Sequence, residues 1–355
     1  MTSRGKTVFV LGAGFSKDAE IPLQGELLPK VLERTSEEGK IYKFIKDIYS
    51  LTFDQAKSLD LEDIYTPLHQ SIVAEEYIKS YPPSGLQEIE KKLNLSIAEV
   101  IDESVGDDQY IKKFATYLIE DKKQAPSTDH FAVLSLNWDI LLDKHLFASD
   151  NIVMNYGCHT TGLDIGNKMI PVLTAKERNR CIGKLNERGY DTEEEKFIII
   201  KQFKMHGSLN WATCPKCRRV FVTKQYKSGI KALEGRMNCP LCEQVKLKAT
   251  LLLPSFQKEL QKYHFQQIWT QAAKEISEST KVVFIGYSFP LADFDFRSLL
   301  TKHLNDNVEV NVVSYSDDSK IDNTATTKRY RKFFGEKINQ FYGGGAKKYI
   351  SEHLK

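Results

Sequence analysis

Four cysteines in two C-x-x-C pairs carry the most specific chemical signal in the sequence. They are Cys214, Cys217, Cys239 and Cys242. Each pair places two thiolates on one tight turn, and two such turns supply the four ligands of a tetrahedral zinc site. Because four protein ligands leave no position open for a substrate, we expect the zinc to be structural and to fold a small ribbon. Disulfides or free thiols are the alternative interpretation, and Cys158 and Cys181 lie outside the pattern.

A glycine turn near the start of the sequence is suited to holding a phosphate group. The apolar run Thr7–Leu11 leads directly into Gly12, Ala13, Gly14, Phe15 and Ser16. Glycines after a strand let the backbone approach a pyrophosphate, whose charge is met by free N–H groups at the next helix N-terminus. Lys17 stands where the dehydrogenase fingerprint requires a third glycine, which disfavours hydride transfer. A nucleotide-phosphate site and a plain strand-to-helix turn remain as interpretations.

Polar or backbone-exposing residues also follow three other apolar runs. Asn137 and Asp139 follow one run, His206 follows a second, and Gly286 and Ser288 follow a third. Taken singly, each has a structural explanation, because Asn137 could cap a helix and His206 could be a hydrogen-bonded core histidine. Gly286 could simply form a turn.

The elements that must position these groups are five short apolar runs, several of them apolar on successive residues. They are Thr7–Leu11, Phe131–Leu136, Phe197–Met205, Lys281–Ile285 and Val308–Val313. This pattern is typical of strands buried on both faces of a parallel sheet, and helical patterns fill most of the intervals. We therefore predict an α/β fold with a Rossmann-like parallel sheet. Since the carboxyl ends of such strands share one edge, the polar groups should converge on one site there.

The remaining patterns divide the chain into regions. Apolar residues at helical spacing, including Leu61, Ile64, Tyr65, Leu68 and Ile72, indicate a helical insertion. Residues 328–355 hold eight Lys or Arg against two acidic residues, typical of a solvated helix face or, alternatively, of a polyanion or partner surface. We predict a Rossmann-like core of residues 1–22, 124–206 and 250–320, a helical insertion of residues 23–123, a four-cysteine zinc-ribbon module of residues 207–249 and a basic helical segment of residues 321–355.

Composition argues against several classes of protein. The 355 residues include 50 basic and 47 acidic side chains, so the net charge of +3 gives little reason to expect nucleic-acid binding. The first apolar run is too short and too early for a signal peptide, and no apolar stretch is long enough to cross a bilayer. We expect a cytoplasmic protein without a membrane partner, in which the cysteines stay reduced.

In combination and order, these motifs resemble those of the sirtuin family. Four segments match: the opening glycine motif, the asparagine motif, the histidine–glycine pair and the segment that closes over the nucleotide. In this sequence they are Gly12–Ser16 with Ile21-Pro22, Leu136–Asp139, His206-Gly207 and Gly286–Ser288. The cysteine pairs follow the histidine in the sirtuin order, and the match extends from about Val8 to Asp317. The resemblance implies a Rossmann-like fold that binds NAD.

The details resemble the sirtuin-like domains of prokaryotic antiphage defence systems, which hydrolyse NAD, more than the protein deacylases. Glu20 precedes Ile21-Pro22 where deacylases have glycine, and Leu23-Gln24-Gly25 replaces their Asp-Phe-Arg. Leu253–Lys258 does not resemble the loop that pairs with an acyl-lysine peptide. The intact cysteine pairs point the other way, because they are regular in deacylases. The resemblance implies an NAD glycohydrolase, with an NAD-dependent protein-lysine deacylase or a non-catalytic NAD or ADP-ribose sensor as alternatives.

The chemistry of breaking the nicotinamide–ribose bond suggests roles for these residues. Asn137 would hold the nicotinamide ribose and position the attacking water, and His206 would accept a proton from a ribose hydroxyl or from that water. Asp139 would orient the local backbone, contact ribose or cap a helix. The NAD-binding residues that the resemblance implies are Gly12, Ala13, Gly14, Phe15, Ser16, Asn137, Asp139, Gly286, Ser288 and Asp317. Because a freely active NAD hydrolase would exhaust its own cell, we expect restraint by a homo-oligomer or by a partner defence protein such as a ring ATPase.

Overall fold

The computed structural model of the chain describes residues 5–149, 152–163, 169–170, 198–223, 230, 232, 234–251, 262–316 and 321–354. In these ranges the strands are β1 (Thr7–Leu11), β2 (Phe131–Ser135), β3 (Ile152–Asn155), β4 (Thr160–Leu163), β5 (Met169–Ile170), β6 (Ile198–Lys204), β7 (Gly207–Thr213), β8 (Val220–Val222), β9 (Lys248–Leu251), β10 (Lys281–Ile285), β11 (Glu309–Val313) and β12 (Ile338–Tyr342).

The helices of the same ranges are α1 (Gln24–Thr35), α2 (Lys40–Tyr49), α3 (Phe53–Ala56), α4 (Leu61–Val73), α5 (Pro83–Glu103), α6 (Gln109–Gln124), α7 (Leu141–Phe147), α8 (Tyr263–Ser277), α9 (Phe294–His303), α10 (Ala325–Phe334) and α11 (Gly345–His353). Within the described part of the chain, no helix has both the length and the apolar character that crossing a bilayer requires.

A seven-stranded parallel sheet organises the molecule, in the order β12-β11-β10-β1-β2-β6-β3. All five predicted runs are strands of this sheet and form its five central positions. Most of their side chains are buried, because helices cover both faces of the sheet. On one face Phe9 packs edge-on against Phe114 of α6, and on the other Phe284 packs against Tyr330 of α10. The predicted α/β class is confirmed.

The two edge strands, β3 and β12, were not predicted. Both are short and partly exposed along one side, so they lack the continuous apolar run that marks the central strands. The prediction of a helical segment over residues 321–355 is therefore wrong in part. α10 and α11 are helical, but β12 lies between them and pairs with β11 in the main sheet.

Helices α1 to α6 occupy the region where the sequence predicted a helical insertion, residues 23–123. The buried face of α4 includes Leu61, Ile64 and Leu68, as the helical spacing indicated. Pro83 begins α5, a position that requires no backbone N–H donor. The last of these helices, α6, packs on β1 through Phe114, so the core of the sheet begins before the boundary that the sequence indicated.

A second, smaller sheet has the order β5-β4-β8-β7-β9 and is mainly antiparallel. It joins the main sheet at His206, which lies between the last residue of β6 and the first residue of β7. Gly207 has φ +76°, and a Cβ at this position would lie 2.0 Å from the carbonyl oxygen of Thr250 on β9. Leu209 and Trp211 of β7 are buried in the main core, so the main core extends into the predicted module of residues 207–249.

Candidate functional site

A cavity of about 410 Å³ lies at the carboxyl edge of the main sheet. Its walls come from the segments that follow β1, β2, β6, β10 and β11, together with residues at the starts of α1 and α4. Eight of the predicted site residues line the cavity, and they come from the ends of four separate strands. They are Gly12, Ala13, Gly14, Asn137, Asp139, His206, Gly286 and Ser288.

Two predicted nucleotide-binding residues lie elsewhere. Phe15 is a core residue, 2% exposed, whose ring packs edge-on against Phe114 at 5.5 Å between centroids. Ser16 is fully buried behind the cavity wall, where its hydroxyl contacts other site residues rather than a ligand. Asp317 and Cys181 lie outside the described residues.

The glycine turn differs from the predicted array of free N–H donors. The N–H of Gly14 donates to the carbonyl of Gly286 at 2.8 Å, and the N–H of Phe15 donates to Gly12 at 2.8 Å. Short 3-10 turns follow, and the first α-helix begins only at Gln24. Gly286 has φ +65°, and a Cβ there would lie 2.1 Å from the N of Phe15. The turns after β1 and β10 therefore interlock. Their glycines expose main-chain atoms, without side chains, at the cavity surface.

Asn137 and Asp139 are held in place by Ser16. The Ser16 hydroxyl donates to Asp139 Oδ2 at 2.8 Å, and Asn137 Nδ2 donates to Ser16 Oγ at 3.4 Å. Asp139 Oδ1 also accepts the N–H of Leu141 at 3.1 Å, so this carboxylate both lines the cavity and caps the start of α7. Burial raises the pKa of Asp139, although the charge of Lys204 and the hydrogen bond from Ser16 oppose the rise.

A buried ion pair supports the backbone at Asp139 from below. Lys204 Nζ donates to the carbonyl oxygen of Asp139 at 2.6 Å and lies 3.3 Å from Asp143 Oδ2. The Asp143 carboxylate accepts two further hydrogen bonds, from Tyr156 and from Gln202. Lys204 and Asp143 are each 1% exposed, so this buried pair acts on the site through the hydrogen bond to the Asp139 backbone and through the charge of Lys204.

His206 reaches the cavity from the end of β6. Its Nδ1 lies 3.2 Å from the carbonyl oxygen of Leu136, and its Nε2 lies 3.5 Å from Asp293 Oδ1. The second oxygen of Asp293 accepts the hydroxyl of Tyr287 at 2.7 Å. Burial, followed by the charge of Asp293, raises the pKa of Tyr287, so the phenol remains a donor.

Several lining residues were missed by the sequence reasoning. Asp293 stands seven residues after Gly286, and the motif of that segment did not indicate a function for its carboxylate. Glu62 and Gln24 come from α4 and α1, and a side-chain hydrogen bond joins them. Burial raises the pKa of Glu62. Nothing in the local sequence marks these two residues, because only the tertiary packing of the helices brings them to the sheet edge.

The charge of the cavity wall is acidic. Among the lining residues in the described ranges, the carboxylates are Glu62, Asp139 and Asp293, and no lysine or arginine is present. The guanidinium of Arg329 lies outside, where it donates to the carbonyl of Ser288 at 2.8 Å. A ligand group with positive charge is therefore favoured on the side of the cavity where these acids lie.

The four predicted cysteine ligands also meet. Their sulfur atoms all lie within 4.8 Å of one another, and Cys217 Sγ is 3.8 Å from Cys239 Sγ. Tetrahedral zinc with bonds of about 2.3 Å requires sulfur–sulfur distances of roughly this length, so the set fits the ion. Arg218 and Glu243 each follow one of the two turns, and both have a positive φ, +57° and +53° respectively. A small separate core surrounds the cluster, including Phe221, Met237 and Leu247.

No protein-family model and no curated protein sequence matches the chain. Among solved structures, the chain is similar to a complex of a Sir2 homolog with NAD, at 12% sequence identity and a TM-score of 0.45, over 99% of this chain and 91% of that one. It is also similar to a structure solved for the mechanism and regulation of Sir2 enzymes, at 13% identity and a TM-score of 0.44, with 99% and 91% covered. A third is a complex of a mutant Sir2 homologue with ADP-ribose, at 11% identity and a TM-score of 0.44, with 99% and 90% covered.

Proposed function

We propose that the cavity binds NAD⁺ and that the protein hydrolyses its nicotinamide–ribose bond. One observation carries the proposal: Asn137, Asp139 and His206, from two neighbouring strands, line the same cavity as the interlocked glycine turns. In open parallel sheets, nucleotides bind at this edge, and a cavity of about 410 Å³ is within the range of small-ligand sites. At TM-scores below one half, the solved structures add no support, and the proposal rests on the chain's own residues.

The order of the strands suggests how the dinucleotide lies. The diphosphate would cross the glycine turn of β1, where the missing side chains permit a close approach. The nicotinamide ribose would lie towards β2 and β6, next to Asn137 and His206, and the adenosine towards β10 and β11, next to Ser288 and Ser314. The acidic wall would favour the positively charged nicotinamide ring of the oxidised cofactor.

In this arrangement the bond electrons pass to the ring nitrogen, and nicotinamide leaves as a neutral base. The ribose carbon then carries oxocarbenium-like positive charge, which the carboxylate of Asp139 would stabilise. Asn137 would orient the ribose and the attacking water. The water oxygen bonds to the ribose carbon, and its proton passes to His206, acting as general base. The products are nicotinamide, ADP-ribose and one proton.

The proposal can be tested by measuring the rate at which the Asn137→Ala and His206→Ala variants release nicotinamide from NAD⁺. Both variants should fold and lose activity by about 100-fold or more, since each removes a positioned group. His303→Ala, which alters an exposed histidine on α9, is the matched control and should retain activity. NADH should not be cleaved, because its dihydronicotinamide carries no positive charge. Turnover at the normal rate by both site variants would refute the assignment.

We propose that the cysteine cluster holds one structural zinc ion. Metal analysis of the purified chain should give about one zinc per chain. The Cys214→Ser variant should lose the metal and should fold less well or be less soluble, since metal binding contributes directly to the folding of such sites. Cys158→Ser, outside the cluster, is the matched control. A Cys214→Ser protein with normal structure but no activity would contradict a structural role for the metal.

The intact cysteine cluster favours a second candidate, an NAD-dependent protein-lysine deacylase. Mass spectrometry of the products separates the two, because a hydrolase yields ADP-ribose whether or not an acylated peptide is present, whereas a deacylase yields O-acyl-ADP-ribose only with one. Tight NAD or ADP-ribose binding without turnover would instead indicate a sensor.

For the cellular role, we propose an effector of a prokaryotic antiphage defence system, restrained by a homo-oligomer or by a partner such as a ring ATPase. The sequence motifs support this proposal through their resemblance to defence domains. Purified protein, alone and with the product of a neighbouring gene, should differ in its rate of NAD consumption if a partner controls it.

A further inference from the structure

The two ring nitrogens of His206 both face oxygen atoms of the protein. Nδ1 lies 3.2 Å from the carbonyl oxygen of Leu136, which can only accept a hydrogen bond. Nε2 lies 3.5 Å from Asp293 Oδ1, and an ionised carboxylate likewise only accepts. A neutral imidazole carries one N–H, so either tautomer would leave a bare nitrogen facing an oxygen lone pair. Only the doubly protonated ring donates in both directions.

We infer that His206 rests as an imidazolium held by Asp293, and that Asp293 is the positioning residue that sets the protonation of the catalytic histidine. The inference rests on the proposed function for its catalytic consequence, and on geometry alone for the protonation state. The other carboxylates on the described lining are Asp139 and Glu62, so no cation there opposes a charged ring.

The position of Asp293 is fixed by its surroundings. It is 5% exposed, and its second oxygen accepts the Tyr287 hydroxyl at 2.7 Å. The backbone of Tyr287 is held in turn, because its carbonyl accepts the hydroxyl of Tyr330 at 2.9 Å. Phe289, between Tyr287 and Asp293, has φ +55°, an unfavourable conformation for a bulky side chain.

Such a conformation persists only where packing enforces it. Phe289 is completely buried, and the guanidinium of Arg297 lies 4.5 Å from its ring centroid. Its ring also packs against Phe333 of α10, with centroids 4.8 Å apart. The loop from Gly286 to Asp293 is therefore held from both ends, and the carboxylate cannot withdraw from the imidazole without disturbing this core.

This pairing adds a proton transfer before the attack of water in the proposed reaction. An imidazolium cannot accept the proton of the attacking water. The Nε2 proton must first pass to the Asp293 carboxylate, which leaves a neutral acid and a neutral ring. Nε2 then accepts the proton of the water as the water oxygen bonds to the ribose carbon. The proton on Asp293 is finally released to solvent, and one proton leaves for each NAD⁺ hydrolysed.

Nitrogen NMR of the full chain, labelled at histidine, tests the inference. The chain contains eight histidines, and the signal lost in His206→Gln identifies the relevant ring. At about pH 7.5, where an ordinary histidine is mostly neutral, we expect both nitrogens of His206 to be protonated. Asp293→Asn should give one protonated and one bare nitrogen, with NAD cleavage reduced about 100-fold or more. Asp293→Glu, which keeps the carboxylate, should retain the doubly protonated ring.

A bare nitrogen on His206 in the unaltered protein would overturn the inference, and so would an unchanged spectrum in Asp293→Asn. If Asp293→Asn does not fold, Tyr287→Phe provides the second variant. It removes the hydroxyl from Asp293 but keeps the aromatic packing, so the ring should stay doubly protonated while activity falls about 10-fold. The spectra need no substrate. A doubly protonated ring in a protein that does not cleave NAD would therefore refute only the proposed function.

Discussion

The amino and carboxyl edges of the main sheet hold their carboxylates in opposite ways. At the amino edge, Lys6 lies 2.8 Å from Asp129, 2.5 Å from Glu275 and 2.8 Å from Glu278. Lys201 lies 2.6 Å from Glu275, so the ammonium groups of Lys6 and Lys201 together form ion pairs with three carboxylates. Although burial alone would lower it, these hydrogen bonds raise the pKa of Lys6.

At the carboxyl edge, the acids receive hydrogen bonds from neutral donors. Ser16 donates to Asp139, Tyr287 to Asp293 and Gln24 to Glu62. Neutral donors orient a carboxylate without cancelling its charge, and the pKa of Asp139 is raised by burial rather than lowered by a partner. The amino edge therefore pairs its acids with lysines, whereas at the carboxyl edge Asp139 and Glu62 have neutral donors and keep their negative charge for a ligand.

Breaking the amino-edge cluster should have the largest effect on stability. Lys6→Met leaves the buried Glu275 with only Lys201 as a partner, and should lower the free energy of unfolding by about 3 kcal/mol. The midpoint of urea unfolding, followed by tryptophan fluorescence, measures the change. Below that midpoint, the cleavage of NAD should continue, because the cluster lies at the opposite edge from the cavity.

The matched control is Lys347→Met, which removes an exposed ion pair with Asp107. It should leave the free energy of unfolding almost unchanged, because solvent screens an exposed ion pair. If both substitutions changed stability equally, the amino-edge cluster would not be the stabilising group described above.

A smaller effect on stability, of opposite sign, is expected at the carboxyl edge. The folded-state pKa of Asp139 is raised above its ordinary value of 3.8, so its contribution to stability is greatest below that pH and is lost as the pH rises through the folded value. Asp139→Asn should therefore be at least as stable as the unaltered protein at neutral pH. The difference should shrink as the pH falls below 3.8, where the carboxyl group becomes protonated in both states.

Asp139→Asn should nevertheless cleave NAD about 10- to 100-fold more slowly, because an amide does not stabilise positive charge at the ribose. Chemical unfolding at several pH values and nicotinamide release from the same samples test both parts. Marked destabilisation at neutral pH, of the size expected for Lys6→Met, would show that Asp139 serves the fold rather than a ligand.

The features that sequence reasoning predicted depend on local patterns. Continuous apolar runs identified the five central strands, since burial on both faces favours apolar side chains at successive positions. The parallel arrangement then placed Asn137, His206 and Gly286 on one edge, and the cysteine spacing brought four sulfurs together. Each of these steps requires only periodicity or short-range spacing.

The features that were missed depend on packing between distant segments. Phe15 is buried against Phe114 of α6, which lies far from it in the sequence. In the glycine turn, the N–H of Gly14 donates to Gly286, another residue that is distant in the sequence. Asp293 becomes part of the site only because the aromatic core under Phe289 directs its loop towards His206. Neither the residue types nor their spacing contains that information.

The junction between the two sheets has a mechanical consequence. His206 is separated from the smaller sheet by a single peptide bond, and at Gly207 the backbones of β7 and β9 are too close to admit even a methyl group. No flexible linker separates the imidazole from β7, the strand that leads into the first cysteine turn at Cys214. We therefore expect that a change in the order of the cysteine cluster alters the alignment of the histidine.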